Sequence, residues 1–130
     1  MDTLAFFILR IAIAISMLGH GLVRLPKLKA FSQWMVGSFE KSMLPKAIIV
    51  PFSYALPIAE FVIGLLLLTG LFTKPAAFAG AVVMLLLLFG TTMVENWEAI
   101  PSQLLHIIFF ALLLQLMGNN SYALDKIFYK

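Results

Sequence analysis

The sequence predicts an all-α membrane protein: a four-helix transmembrane bundle with an amphipathic interfacial helix between helices one and two. Two observations carry this. Of 130 residues, 62% are hydrophobic and only 12% are charged, against norms of ~45–50% and ~25% in soluble domains. A chain this short has too little interior to hide so much apolar surface from water, because a domain of about 150 residues buries only about 70% of its unfolded surface. The second observation is four separate apolar runs, each near the ~20 residues that a helix needs to cross a ~30 Å hydrocarbon core.

The four runs lie at about residues 4–23, 48–72, 75–94 and 102–117. The first carries one charge, Arg10, the second carries Glu60, and the third and fourth carry none. Lys74-Pro75 and Pro101-Ser102 mark restarts, since proline is tolerated in a helix's first turn. Gly118-Asn119-Asn120 ends the last run with residues that accept a left-handed cap. The first run is a poor secretory signal, because Asp2 precedes it and Arg10 interrupts it. The whole chain, 1–130, therefore reads as a single transmembrane domain.

Between the first two runs, Leu28, Phe31, Met35 and Phe39 recur at spacings of three and four, within about 80° on a helical wheel. Lys29, Gln33, Glu40 and Lys41 gather opposite. This pattern predicts a helix over about 27–44 lying in the headgroup plane. Five of the nine basic residues (Arg24, Lys27, Lys29, Lys41 and Lys46) fall in this region. Taken as a loop, it makes the side opposite the N-terminus the cytoplasmic one by the positive-inside rule. Basic residues beside a span meet lipid phosphates, and no nucleic-acid-binding face is present.

Ionisable residues within spans are costly, so each needs a partner or a purpose. With the centres of the spans set level, Arg10 comes within reach of Glu60, and the two are expected to form a buried ion pair. Met17, Gly21 and Arg24 share the Arg10 stripe, while Ser53, Pro57 and Gly64 share that of Glu60. Charge beside small residues suits a close interhelical contact. His20 and His106 fall toward the far side. The candidate ligand-binding set is His20, Glu60 and Arg10, with Gly21 and Gly64 leaving room for a ring. Arg24, Lys27, Pro57, Gly70 and His106 are assigned to packing or polar structure. The competing reading is a purely structural polar lock.

No cysteine is present, which removes thiolate zinc sites, disulfides and cysteine-held iron–sulfur clusters. Two histidines alone are thin support for haem, and no metal site is assigned. No nucleotide or hydrolase motif occurs.

Two stretches, MLGHGLVRLPKLKAF (Met17–Phe31) and PIAEFVIGLLLLTGLFTKPAAFAG (Pro57–Gly80), resemble the DoxX family of small four-helix bacterial membrane proteins. The informative residues are His20, Gly21, Lys27, Pro57, Glu60, Gly64 and Gly70, and the resemblance runs over about 5–117. It implies a multi-pass protein of the bacterial inner membrane linked to quinone or redox chemistry. The family takes its name from a small subunit of a terminal quinol oxidase, and relatives are tied to thiosulfate:quinone oxidoreduction. The missing cysteines argue against the MauE-like branch linked to disulfides. Three functions stay open: an accessory or scaffold subunit of a membrane redox complex, a quinone-interacting oxidoreductase subunit, and a small-molecule transporter. Catalysis by this chain alone is not expected. Its expected partners are membrane lipids with either other subunits or further copies of itself, and the cofactor is undetermined, with a quinone compatible and haem disfavoured.

Overall fold

The computed structural model describes residues 3–40, 42–120, 123 and 125. In lipid the backbone must satisfy its own hydrogen bonds, and the apolar runs do so as helices. These are α1 (Thr3–Arg24), α2 (Leu28–Ser38), α3 (Lys46–Thr69), α4 (Thr73–Met93) and α5 (Ile100–Gln115). A 3-10 turn, Leu25–Lys27, separates α1 from α2. Four helical stretches are long and apolar enough to cross a membrane: Thr3–Ser38, Lys46–Thr69, Thr73–Met93 and Trp97–Gln115.

α1 packs on α3 and α5, and α4 packs on α3 and α5, which closes a four-helix ring. Phe6, Ile13, Ala14 and Met17 of α1 meet Ile63 and Leu67 of α3, Ala76, Ala77 and Met84 of α4, and Phe110 and Leu113 of α5 in one buried cluster. Gly70 ends α3 in the left-handed region at φ 75°, where glycine avoids the cost a Cβ would bring. Asp125 returns from the C-terminal segment to cap α4: its carboxylate accepts the Phe72 and Thr73 amides at 2.6 and 2.8 Å. Anionic capping there also complements the helix dipole.

The register of α1 on α3 is set by two glycines. A Cβ on Gly21 would lie 2.6 Å from the Phe61 amide nitrogen, and one on Gly64 would strike the backbone of Leu18. Each glycine admits the opposite helix, so the space they leave is filled by backbone and not by a ligand ring. This corrects the role expected for them.

The segment between the first two spans also differs from expectation. Its helix is shorter, Leu28–Ser38, and it runs along the first half of α3. Ser32 Oγ lies 2.6 Å from Ser53 Oγ, and Met35 clusters with Ile49 and Leu56. Phe39, just beyond α2, presses its ring on Gly90 of α4. The apolar stripe therefore meets protein, and an interfacial helix with its apolar face in lipid is not what forms. Periodicity reports that a helix has an apolar face; it does not say which surroundings that face meets. Leu18 facing Gly64, Gly21 facing Phe61 and Ser32 facing Ser53 are successive points on one path. α1 and α2 are thus two halves of one broken rod antiparallel to α3, and the break at Leu25–Lys27 lies level with the middle of α3.

Candidate functional site

At this break the bundle gathers its polar groups. Arg24, the last residue of α1, donates from Nη1 to Glu60 Oε1 at 2.8 Å. Glu60 is 2% exposed and the Arg24 side chain 27%. The guanidinium also stacks 4.6 Å from the Phe31 ring centroid, a favourable cation–π geometry. Phe31 in turn stacks on Trp34 at 5.8 Å.

His20 and His106 approach edge to face, with ring centroids 6.2 Å apart. His20 Nδ1 is 2.6 Å from the Ser16 carbonyl and His106 Nδ1 is 2.8 Å from the Ser102 carbonyl. A carbonyl only accepts, so both rings carry their proton on Nδ1. His106 Nε2 then accepts the Ser16 hydroxyl at 2.7 Å, which ties α5 to α1. His20 Nε2 is the ring nitrogen that takes no hydrogen bond from the described residues. Joint axial ligation of one haem iron needs a free nitrogen from each histidine, and Ser16 already holds that of His106.

His20, Arg24, Glu60, Gln103 and His106 line a cavity of about 260 Å³, with Met17, Met35, Leu56, Met84 and Leu87 among its apolar walls. Gln103 donates from Nε2 to Thr91 Oγ1 at 2.8 Å, while its Oε1 is buried without a partner among the described residues. Buried acceptors are normally satisfied, so this one has room for a donor from beyond the described residues.

Arg10 is not part of this site. It is 1% exposed, donates from Nη1 to Asn120 Oδ1 at 3.0 Å, and lies beside Gly70 at the other end of the bundle. The expected Arg10–Glu60 pair does not form. Gly21 faces Phe61, so the residue level with Glu60 is Leu22, twelve positions from Arg10 and therefore ~18 Å away along α1. Pro57 is buried inside α3, one turn from Glu60, and Lys27 is exposed in the break. Sequence reasoning left out Ser16 and Gln103. Both are neutral, so they barely disturb hydropathy; their signal was their position on otherwise apolar helices.

The DoxX family model matches residues 5–93, more than half of the chain. The chain belongs to the DoxX family. None of the curated proteins and none of the solved structures compared with it matches. Family membership and the four apolar helices together make this a multi-pass integral membrane protein. The DoxX match takes in His20, Arg24 and Glu60 and stops at the end of α4, so Gln103 and His106 on α5 lie outside it.

Proposed function

We propose that this DoxX-family chain is an accessory subunit of a redox complex in the bacterial inner membrane, and that the cavity at the helix break receives a quinone headgroup. One observation carries the reading: a carboxylate, a guanidinium and two imidazoles meet on a cavity inside a bundle that is otherwise nearly free of charge. Such groups are retained in lipid where they bind or move protons.

The residues fit the ligand. About 260 Å³ falls just under the ~300–1,000 Å³ of typical ligand pockets, so a ring enters while an isoprenoid tail stays in lipid. Arg24 keeps N–H donors beyond the one given to Glu60, and these suit a quinone carbonyl. His20 Nε2 and the unpartnered Gln103 Oε1 are acceptors for the hydroxyl of the reduced form. A bound quinone supplies two-electron, two-proton carrier chemistry. The chain's own part is to hold the headgroup, exclude water with the methionine and leucine walls, and pass protons at His20 and Glu60. Electron transfer belongs to partner subunits.

The scaffold reading rests on the Ser16–His106 and Arg24–Glu60 bonds, which tie α1 to α5 and to α3. A broken helix level with the middle of the bundle is also a transporter feature, but transporters of that kind pair two such breaks across a repeat, and α4 is continuous. The test is binding of a short-tailed benzoquinone to purified protein in nanodiscs, read by quenching of Trp34 with Trp97→Phe as background. Wild type should bind, and His20→Ala and Glu60→Gln should weaken binding at least tenfold, with Thr69→Ala unchanged. No binding to wild type, or binding as tight as wild type in both variants, leaves the scaffold alone.

A further inference from the structure

Lys27 and Lys29 are exposed at a depth where lipid should surround the protein. Ser32 is level with Ser53, which lies seven residues inside α3 from Lys46, or ~10 Å. Lys29 is three residues further from that end, ~15 Å along a helix ~36 Å long. Lys27 lies deeper still. The surface around this level is apolar: Ile58 of α3 is 49% exposed, Leu85 and Phe89 of α4 are 53% and 55%, and Leu105 of α5 is 56%. A lysine's four-carbon stem reaches well short of half a ~30 Å core. An uncompensated ammonium there is among the least tolerable groups in hydrocarbon.

Lys27 borders a notch of about 380 Å³, lined with it by Val23, Arg24, Ala30, Phe31 and Trp34. No acidic side chain among the described residues lines it. The carboxylates among the described residues are accounted for elsewhere. Glu60 is buried against Arg24, and Asp125 caps α4. Glu40 follows α2, and Glu95 and Glu98 lie between α4 and α5. The one described carboxylate that a second copy of the chain brings near this level is Glu60, and it is buried against that copy's own Arg24.

We infer that the Val23–Trp34 notch seats a transmembrane helix of a different subunit, and that this helix carries a carboxylate which neutralises Lys27. The inference deepens the accessory-subunit reading and rests on it, but it does not depend on a quinone in the cavity. Charge complementarity selects the partner, the notch admits its side chains, and exposed Trp34 and stacked Phe31 offer it an aromatic seat.

The chain has no cysteine, so Ala30→Cys creates a unique attachment point. The full chain is reconstituted in phosphatidylcholine bilayers with a synthetic leucine–alanine helix of about 20 residues that carries one cysteine and a central Glu or Gln. Under mild oxidation the Glu helix should give at least fivefold more disulfide adduct than the Gln helix. The ratio should fall to one with Lys27→Met and persist with Lys27→Arg, which keeps the charge and checks that the surface is intact. Leu85→Cys, on the far face, should show no preference. A ratio of one in the parent protein overturns the inference. So does a preference that vanishes when phosphatidylglycerol replaces phosphatidylcholine, which makes an anionic lipid the occupant. Benzoquinone binding measured on the same samples separates this failure from failure of the cavity reading.

Discussion

Arg24 and Glu60 join α1 to α3 through a 2.8 Å ion pair at the break in the first rod. Removing one member of a buried pair typically costs about 3–5 kcal/mol, and removing both can be nearly neutral. Because the Arg24 side chain is 27% exposed, Glu60→Gln should fall at or below the low end, about 2–3 kcal/mol after that discount. Adding Arg24→Met should recover part of the loss. Glu60→Gln with Arg10→Met should instead be additive, since the two positions are ~18 Å apart along the bundle. Equilibrium unfolding in mixed micelles measures both cycles; additivity in the Arg24 cycle would break the pairing.

Two glycines two residues apart on α1 should respond in opposite ways to the same methyl group. At Gly21 the added carbon meets the Phe61 backbone, whereas at Gly19 nothing lies within 4 Å. Gly21→Ala should cost about 1–3 kcal/mol, the usual range for overpacking. Gly19→Ala should be neutral or stabilising by about 0.5–1 kcal/mol, the gain of alanine over glycine in a helix. Equal losses at the two positions would show that Gly21 does not set the α1–α3 register.

The four apolar helices were legible in the sequence because lipid imposes one simple demand on length and hydropathy. The register between them was not. Setting span centres level brought Arg10 beside Glu60, but registry follows which bulky residue enters which glycine notch, Phe61 at Gly21 and Leu18 at Gly64. A sequence displays the glycines and not their occupants. The same limit explains α2: its stripe of Phe31 and Met35 was visible, yet α3 as the surface it meets was not. With α2 alongside α3, Arg24, Lys27 and Lys29 are no longer loop charges, and Lys41 lies outside the described residues. The charge balance that pointed the far side to the cytoplasm loses its basis. Glu60 and His20 were legible as costly polar residues, whereas Ser16 and Gln103 passed beneath hydropathy because neither carries charge.

Arg10 and Asn120 make the opposite end of the bundle a second test. Asn120 is 6% exposed and accepts from Arg10 Nη1 at 3.0 Å. Asn120→Leu removes that acceptor from a guanidinium that is itself buried, and such losses cost about 1–3 kcal/mol. Benzoquinone binding should be unchanged, because Arg10 is remote from the cavity. A binding loss without a stability loss would place Arg10 functionally with Glu60 after all.

The placement of α2 can be checked by covalent chemistry, because the chain has no cysteine to compete. Ser32 and Ser53 have their Oγ atoms 2.6 Å apart, close to the ~2.05 Å that two sulfurs take in a disulfide. Ser32→Cys/Ser53→Cys should therefore cross-link rapidly and nearly completely under mild oxidation in bilayers. Gln33, the next residue along α2, is exposed and turned by about 100° on the helix, so Gln33→Cys/Ser53→Cys should cross-link poorly. The bridge should also raise the unfolding midpoint, since it closes a loop of about 20 residues and such closures contribute roughly 3 kcal/mol. A helix lying flat in the headgroups would hold residue 32 away from residue 53, and no more cross-link would form there than at position 33. That outcome would restore the interfacial helix and remove the broken rod on which the cavity and the lysine face both depend.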